Sequence, residues 1–147
     1  MKAYTNVNLV TCDSEFHVYR EGLLVVEDER IAYCGPYDEA WLEQCSELVD
    51  YEGAWIMPGL VNCHTHSAMT LLRGIRDDSN LHEWLEDYIW PAESQFTSDL
   101  TTKAVQLALA EMLQSGTTTF NDMYNPQGVE IDRIYKTVRQ SGMRCYF

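Results

Sequence analysis

The chain is 147 residues long, with 46% hydrophobic and 22% charged residues, enough apolar material for a packed core and too much for a disordered chain. Ten Lys and Arg stand against 23 Asp and Glu, a formal net charge of -13. That balance argues against nucleic acid or an anionic membrane as partner, since both call for a cationic surface, and leaves a small molecule as the expected one.

No apolar run approaches the ~20 residues that span a bilayer, and the N-terminal stretch through Phe16 lacks the apolar centre of a signal peptide. The expected compartment is the cytoplasm. Cys12, Cys34, Cys45, Cys63 and Cys145 form an odd set without a Cys-x-x-Cys pair. Reduced thiols are expected, rather than a disulfide framework or a cysteine-based zinc knuckle.

In chain order, residues 2–10 read as a strand, and residues 22–35 as a hairpin turning at the acidic stretch 27–29. A short helix is expected over 38–45, followed by β character over 48–57 with Gly53 at a turn or bulge. Past Pro58 the hydrophobic period alternates between strand and helix, which implies a parallel sheet or barrel. Residues 59–63 form a short buried-type strand. Asn80 caps a helix whose apolar stripe is Leu81, Trp84, Leu85, Tyr88 and Ile89, with Pro91 expected to stop it. A second helix opens at Thr97 or Ser98 and runs to Gln114, with Gly116 suited to its left-handed C-terminus. Residues 117–122 form the next strand. Ile131, Ile134, Tyr135 and Val138 mark a third amphipathic helix ended by Gly142, with Asp132 and Lys136 spaced to pair, and residues 144–147 begin another strand.

The chemistry concentrates at His64-Thr-His66, where an apolar strand ends. Alternate strand residues project to one side, so both imidazoles can reach one ion. Neutral imidazole suits zinc, iron, nickel or copper, so the residue type does not name the metal. The competing reading is two polar residues in a loop; position at the end of the first strand of a β/α pattern favours the metal.

Residues 58–66, Pro-Gly-Leu-Val-Asn-Cys-His-Thr-His, are followed by Met69-Thr-Leu-Leu-Arg-Gly74, Asp77-Asp78, Trp84-Leu85, Ile89-Trp-Pro-Ala-Glu93 and Gly116-Thr-Thr-Thr-Phe-Asn-Asp-Met123. This set resembles the amidohydrolase superfamily, and within it the branch of methylthioadenosine/S-adenosylhomocysteine deaminases grouped with the triazine chlorohydrolases. The resemblance implies the N-terminal part of a (β/α)8 barrel over 58–147, preceded by a small β-sandwich segment over 1–57. A closed barrel takes ~250 residues, so the chain is expected to be the N-terminal portion of a larger enzyme.

By the same resemblance His64 and His66 hold one divalent metal ion, zinc with iron as the alternative. The implied reaction is hydrolytic deamination of an adenine nucleoside thioether with release of ammonia. Glu93 is implied to bind substrate by accepting hydrogen bonds from the ribose hydroxyls. Trp84 either overhangs the substrate or belongs to the core stripe of its helix. The remaining ligands and the proton-handling groups are implied to lie on later strands, so no catalytic residue is assigned here. Cys63 alternates away from the ion, Asp122 either supports the histidines or caps the following turn, and Arg73 is expected to brace its loop through Asp77 and Asp78. His17 and His82 are expected to be surface or structural. Two rivals stand beside the deaminase: a triazine or other heteroaromatic amino- or chlorohydrolase, and a non-catalytic fragment or assembly module. A homo-oligomer or the remainder of the barrel are the macromolecular partners considered.

Overall fold

In the computed structural model, which describes residues 1–123 and 129–147, the chain divides into two compact units, Met1–Pro58 and Gly59–Phe147. The first is built on strand β1 (Lys2–Val10), which pairs antiparallel with β2 (Val18–Glu27), itself antiparallel to β3 (Arg30–Pro36). The other edge of β1 takes two short parallel partners, β4 (Glu47–Asp50) and β5 (Trp55–Ile56). The β character expected over 48–57 is thus two short strands, and the turn expected at Gly53 lies between them, where Glu52 and Gly53 adopt positive φ. The short helix α1 (Glu39–Leu42) starts at Asp38, whose carboxylate accepts from the Ala40 N–H.

Both faces of this sheet are covered. Ala3, Leu23 and Val25 pack with Trp41 and Leu42 on one side, while Val7, Leu9 and Leu24 pack with Ile56 on the other. Strict alternation would put Ala3 and Val7 on the same face. A register shift between Tyr4 and Val7, with Asn6 at φ 51°, inserts the extra residue that moves Val7 across.

The second unit is α/β with a parallel sheet in the order β6 (Leu60–Thr65), β7 (Thr117–Asp122), β8 (Arg144–Tyr146). Between β6 and β7 lie a 3-10 segment (Ser67–Leu72), α2 (Leu81–Glu83), a π turn (Trp84–Ile89), α3 (Trp90–Glu93) and the long α4 (Ser98–Gln114). Helix α5 (Ile131–Ser141) joins β7 to β8. Thr97 caps α4 by accepting from the Leu100 N–H, and Gly116 and Gly142 take the left-handed conformation after α4 and α5. The core is Val105 and Leu109 of α4, Phe120 of β7, Ile134 and Val138 of α5, and Met143. Gly59, where β6 begins, leaves no room for a side chain, since a Cβ there would fall on the side chain of Thr118.

Pro91 does not stop its helix. Backbone angles at Trp84, Ile89 and Trp90 are all right-handed helical, so helical structure continues from Leu81 to Glu93. The proline is accommodated by the π turn before it, in which the Trp90 N–H donates to the Leu85 carbonyl, five residues back. Among the described residues, no helix is long and apolar enough to cross a membrane.

Candidate metal centre and adjoining pocket

His64 lies near the end of β6 and His66 just past it, both exposed. Their ring centroids are 5.0 Å apart, with planes inclined at 75°. The end of β7 holds this segment at several points. The Met123 N–H donates to the Thr65 carbonyl at 2.8 Å. His66 Nδ1 lies 3.2 Å from the Met123 carbonyl oxygen. The Asn121 side-chain amide donates to the Cys63 carbonyl at 3.4 Å. Asp122 accepts from the Ser67 N–H at 2.9 Å and also from the Ser67 hydroxyl. Asp122 and Ser67 are both buried, and each satisfies the other's polar groups.

A carbonyl oxygen can only accept, so in that contact His66 Nδ1 carries the proton and Nε2 presents its lone pair. This is the arrangement a ligating histidine uses, its second nitrogen anchored to a backbone oxygen. The pair thus has the donor chemistry for a divalent transition ion. Among the described residues, no group of three or more His, Cys, Asp or Glu side chains could hold a metal.

Beside His66 opens a cavity of about 490 Å³, walled by Leu85, Ile89, Trp90, Glu93 and Met123. Glu93 is half-buried. Burial pushes its carboxyl above the usual carboxylate range, against a smaller opposing pull from His66. The cavity therefore brings His66 and Glu93 together in a wall that is mostly apolar, with Asn121 and Asp122 of β7 as its other polar residues. His64 and Trp84 are not among the residues that line it. Trp84 is half-buried, and the indole in the wall belongs to Trp90. In the sequence Trp90 stands only as part of the Ile89-Trp-Pro-Ala-Glu93 segment, because a helix stopped at Pro91 gives it no face.

Of the two roles weighed for Asp122, the structure shows the grip on Ser67; the turn that follows falls on residues 124–128, outside the described ones. Arg73 braces its segment through Glu111 of α4, not through Asp77 or Asp78: both guanidinium Nη groups reach that carboxylate, the longer contact at 3.1 Å. His82 is exposed, and His17 pairs with Asp13 in the loop after β1.

The unit is a parallel β/α arrangement with paired imidazoles at the C-terminal end of its first strand, the end of the sheet where barrels of this class build their sites. The model of the amidohydrolase family matches residues 55–147, and the chain belongs to that family. It is 49% identical over 143 residues to a 5-methylthioadenosine/S-adenosylhomocysteine deaminase of Bacillus cytotoxicus, with 97% of this chain and 33% of the relative covered. A deaminase of the same name from Bacillus cereus is 47% identical over 142 residues, with the same coverage. The chain thus spans about a third of the length of the curated relatives it matches. Among solved structures, a zinc-bound adenosine deaminase from Xanthomonas campestris superposes with a TM-score of 0.82 at 32% identity, covering 98% of this chain and 32% of that one. The zinc complex of an atrazine chlorohydrolase from Arthrobacter aurescens gives 0.84 at 21% identity, over 99% and 34%. At that identity it speaks for the fold alone.

Proposed function

We propose that this chain supplies the first part of a (β/α)8 barrel, residues 58–147, with residues 1–57 as a small β-sandwich segment, to a metal-dependent deaminase of adenine nucleoside thioethers. Methylthioadenosine and S-adenosylhomocysteine are the substrates named by the relatives. The observation that carries the proposal is the cavity in which His66 and Glu93 meet.

His64 and His66 hold a divalent ion, most simply zinc, the metal of the related structures; the other ligands come from the rest of the full-length protein. When bound, the ion supplies Lewis acidity that activates water for attack on the amino-bearing ring carbon. The chain's own residues bind and orient. Glu93 accepts hydrogen bonds from the vicinal ribose hydroxyls, which fixes the nucleoside against the metal-binding edge. Leu85, Ile89 and Trp90 give the purine or thioether an apolar wall and keep water from that side.

The test is ammonia release by the full-length protein. Glu93→Gln is expected to lower kcat/KM for methylthioadenosine by about 1–3 kcal/mol of binding and to leave any triazine turnover unchanged. Undiminished nucleoside turnover would remove the ribose role. His66→Ala is expected to leave the purified protein depleted of metal, and full zinc occupancy in that variant would count against the metal assignment.

A further inference from the structure

The helical stretch from Leu81 to Glu93 contains a π turn over Trp84–Ile89, where hydrogen bonds span five residues instead of four. Trp90 donates five residues back, to Leu85, and Pro91 follows immediately. Proline has no N–H for the carbonyl four residues before it, here that of Asp87, and its ring collides with that carbonyl in a regular α-helix. A turn widened by one residue relieves the collision while the chain stays helical.

The widening also sets direction. In a regular α-helix Leu85 and Glu93, eight residues apart, diverge by about 80° around the axis. Absorbing one extra residue turns the phase back by about 100°, which leaves the two within roughly 20°. Leu85, Ile89 and Glu93 do all line the cavity that His66 borders.

We propose that Pro91 is a positioning residue: by imposing the π turn, it aligns Glu93 with Leu85 and Ile89 on the wall beside His66, and so sets selectivity for a ribosyl substrate. This rests on Glu93 being the acceptor for the ribose diol. Pro91 itself touches no substrate and acts through the phase of its helix.

The experiment uses the full-length protein and two probes, methylthioadenosine and its 2′,3′-dideoxy counterpart, with the ratio of their kcat/KM values as readout. Pro91→Ala is expected to lower that ratio roughly tenfold, toward the value for Glu93→Gln, and the crystal structure of the variant should show Trp90 bonded to the Glu86 carbonyl. Deleting the exposed Asp87 in the Pro91→Ala background gives a regular helix one residue shorter with the original phase, and should restore the ratio. That restoration is what a merely stabilising proline would not produce, and it also serves as the test should Pro91→Ala alone not fold. If Glu93→Gln lowers the ratio but Pro91→Ala leaves it unchanged, or harms both probes equally, the positioning role is overturned while the diol role stands. If Glu93→Gln leaves the ratio unchanged, the diol role fails and selectivity through Pro91 falls with it. A π turn that persists in Pro91→Ala overturns the inference whatever the kinetics.

Discussion

Asp122 and Ser67 grip each other where β7 ends and the 3-10 segment begins, the carboxylate taking both the N–H and the hydroxyl of the serine. Ser67 directly follows His66, so this contact fixes the backbone on which the second imidazole is carried. Supporting groups of this kind commonly govern metal affinity by about 10–100-fold. Asp122→Ala in the full-length protein is therefore expected to weaken zinc binding by roughly that factor. Competition against a chromophoric chelator measures it, and an unchanged affinity would show the grip to be irrelevant to the metal.

Gly59→Ala tests the close approach of β6 to β7. The added methyl falls on the Thr118 side chain, so the strands must part or Thr118 must turn. Overpacking of this kind costs about 1–3 kcal/mol. Urea unfolding should show that loss, and pairing it with Thr118→Ser, which removes one of the clashing atoms, should recover part of it.

Phe120 is fully buried at the centre of the second unit's core, against residues of α4 and α5. Phe120→Ala is expected to cost about 3–5 kcal/mol, the range for an aromatic removed from a packed interior. A denaturant midpoint within error of the parent would contradict the packing described.

Thiol labelling checks the partial burial of Cys145 in β8. Burial pushes the Cys145 thiol up to about 12, with Asp122 adding to the shift. Only the thiolate reacts, so its alkylation by iodoacetamide should be slow near neutrality and rise about tenfold per pH unit. Exposed Cys12 and Cys63 should label first. Mass spectrometry of partly labelled protein decides the order.

In the loop after β1, Asp13 accepts from the His17 ring at 2.7 Å and from the backbone N–H groups of Glu15 and His17. These bonds, that to the His17 side chain foremost, hold its carboxyl well below the ordinary value of 3.8. A depressed folded-state pKa means a contribution present above that ordinary value and lost as pH falls through the folded one. Asp13→Asn should therefore lower the melting temperature at neutral pH, with the gap closing in strong acid. A gap independent of pH would show that the charge is not what holds the loop.

What the sequence conveyed depended on how local the signal was. Asp38, Asn80 and Thr97 cap helices through bonds to residues two or three positions on, and Gly116 and Gly142 end helices through their own backbone angles. Such interactions are written within one turn of chain. Pro91 misleads because a rule about α-helices says nothing of a π turn, and a helix ended there gives Trp90 no place in the pocket wall. The bond from Ser67 to Asp122 links residues 55 apart, and Arg73 finds Glu111 rather than its acidic neighbours in sequence; nothing in local spacing announces either. The paired imidazoles are legible as chemistry, but the meeting of His66 with Glu93 in one cavity needs the folded crossover.

The contact between His66 and Met123 joins residues 57 apart, which bears on the order in which the centre is made. His64 and His66 are two residues apart in the chain, so both proposed donors are present as soon as this short segment is synthesised. The proton arrangement that aims His66 comes only after the whole crossover through α4 has closed and β7 has docked on β6, and non-local pairings of this kind are reached late in folding. On the proposed assignment, a nascent segment would hold metal only loosely, and ions acquired early would exchange until β7 is in place.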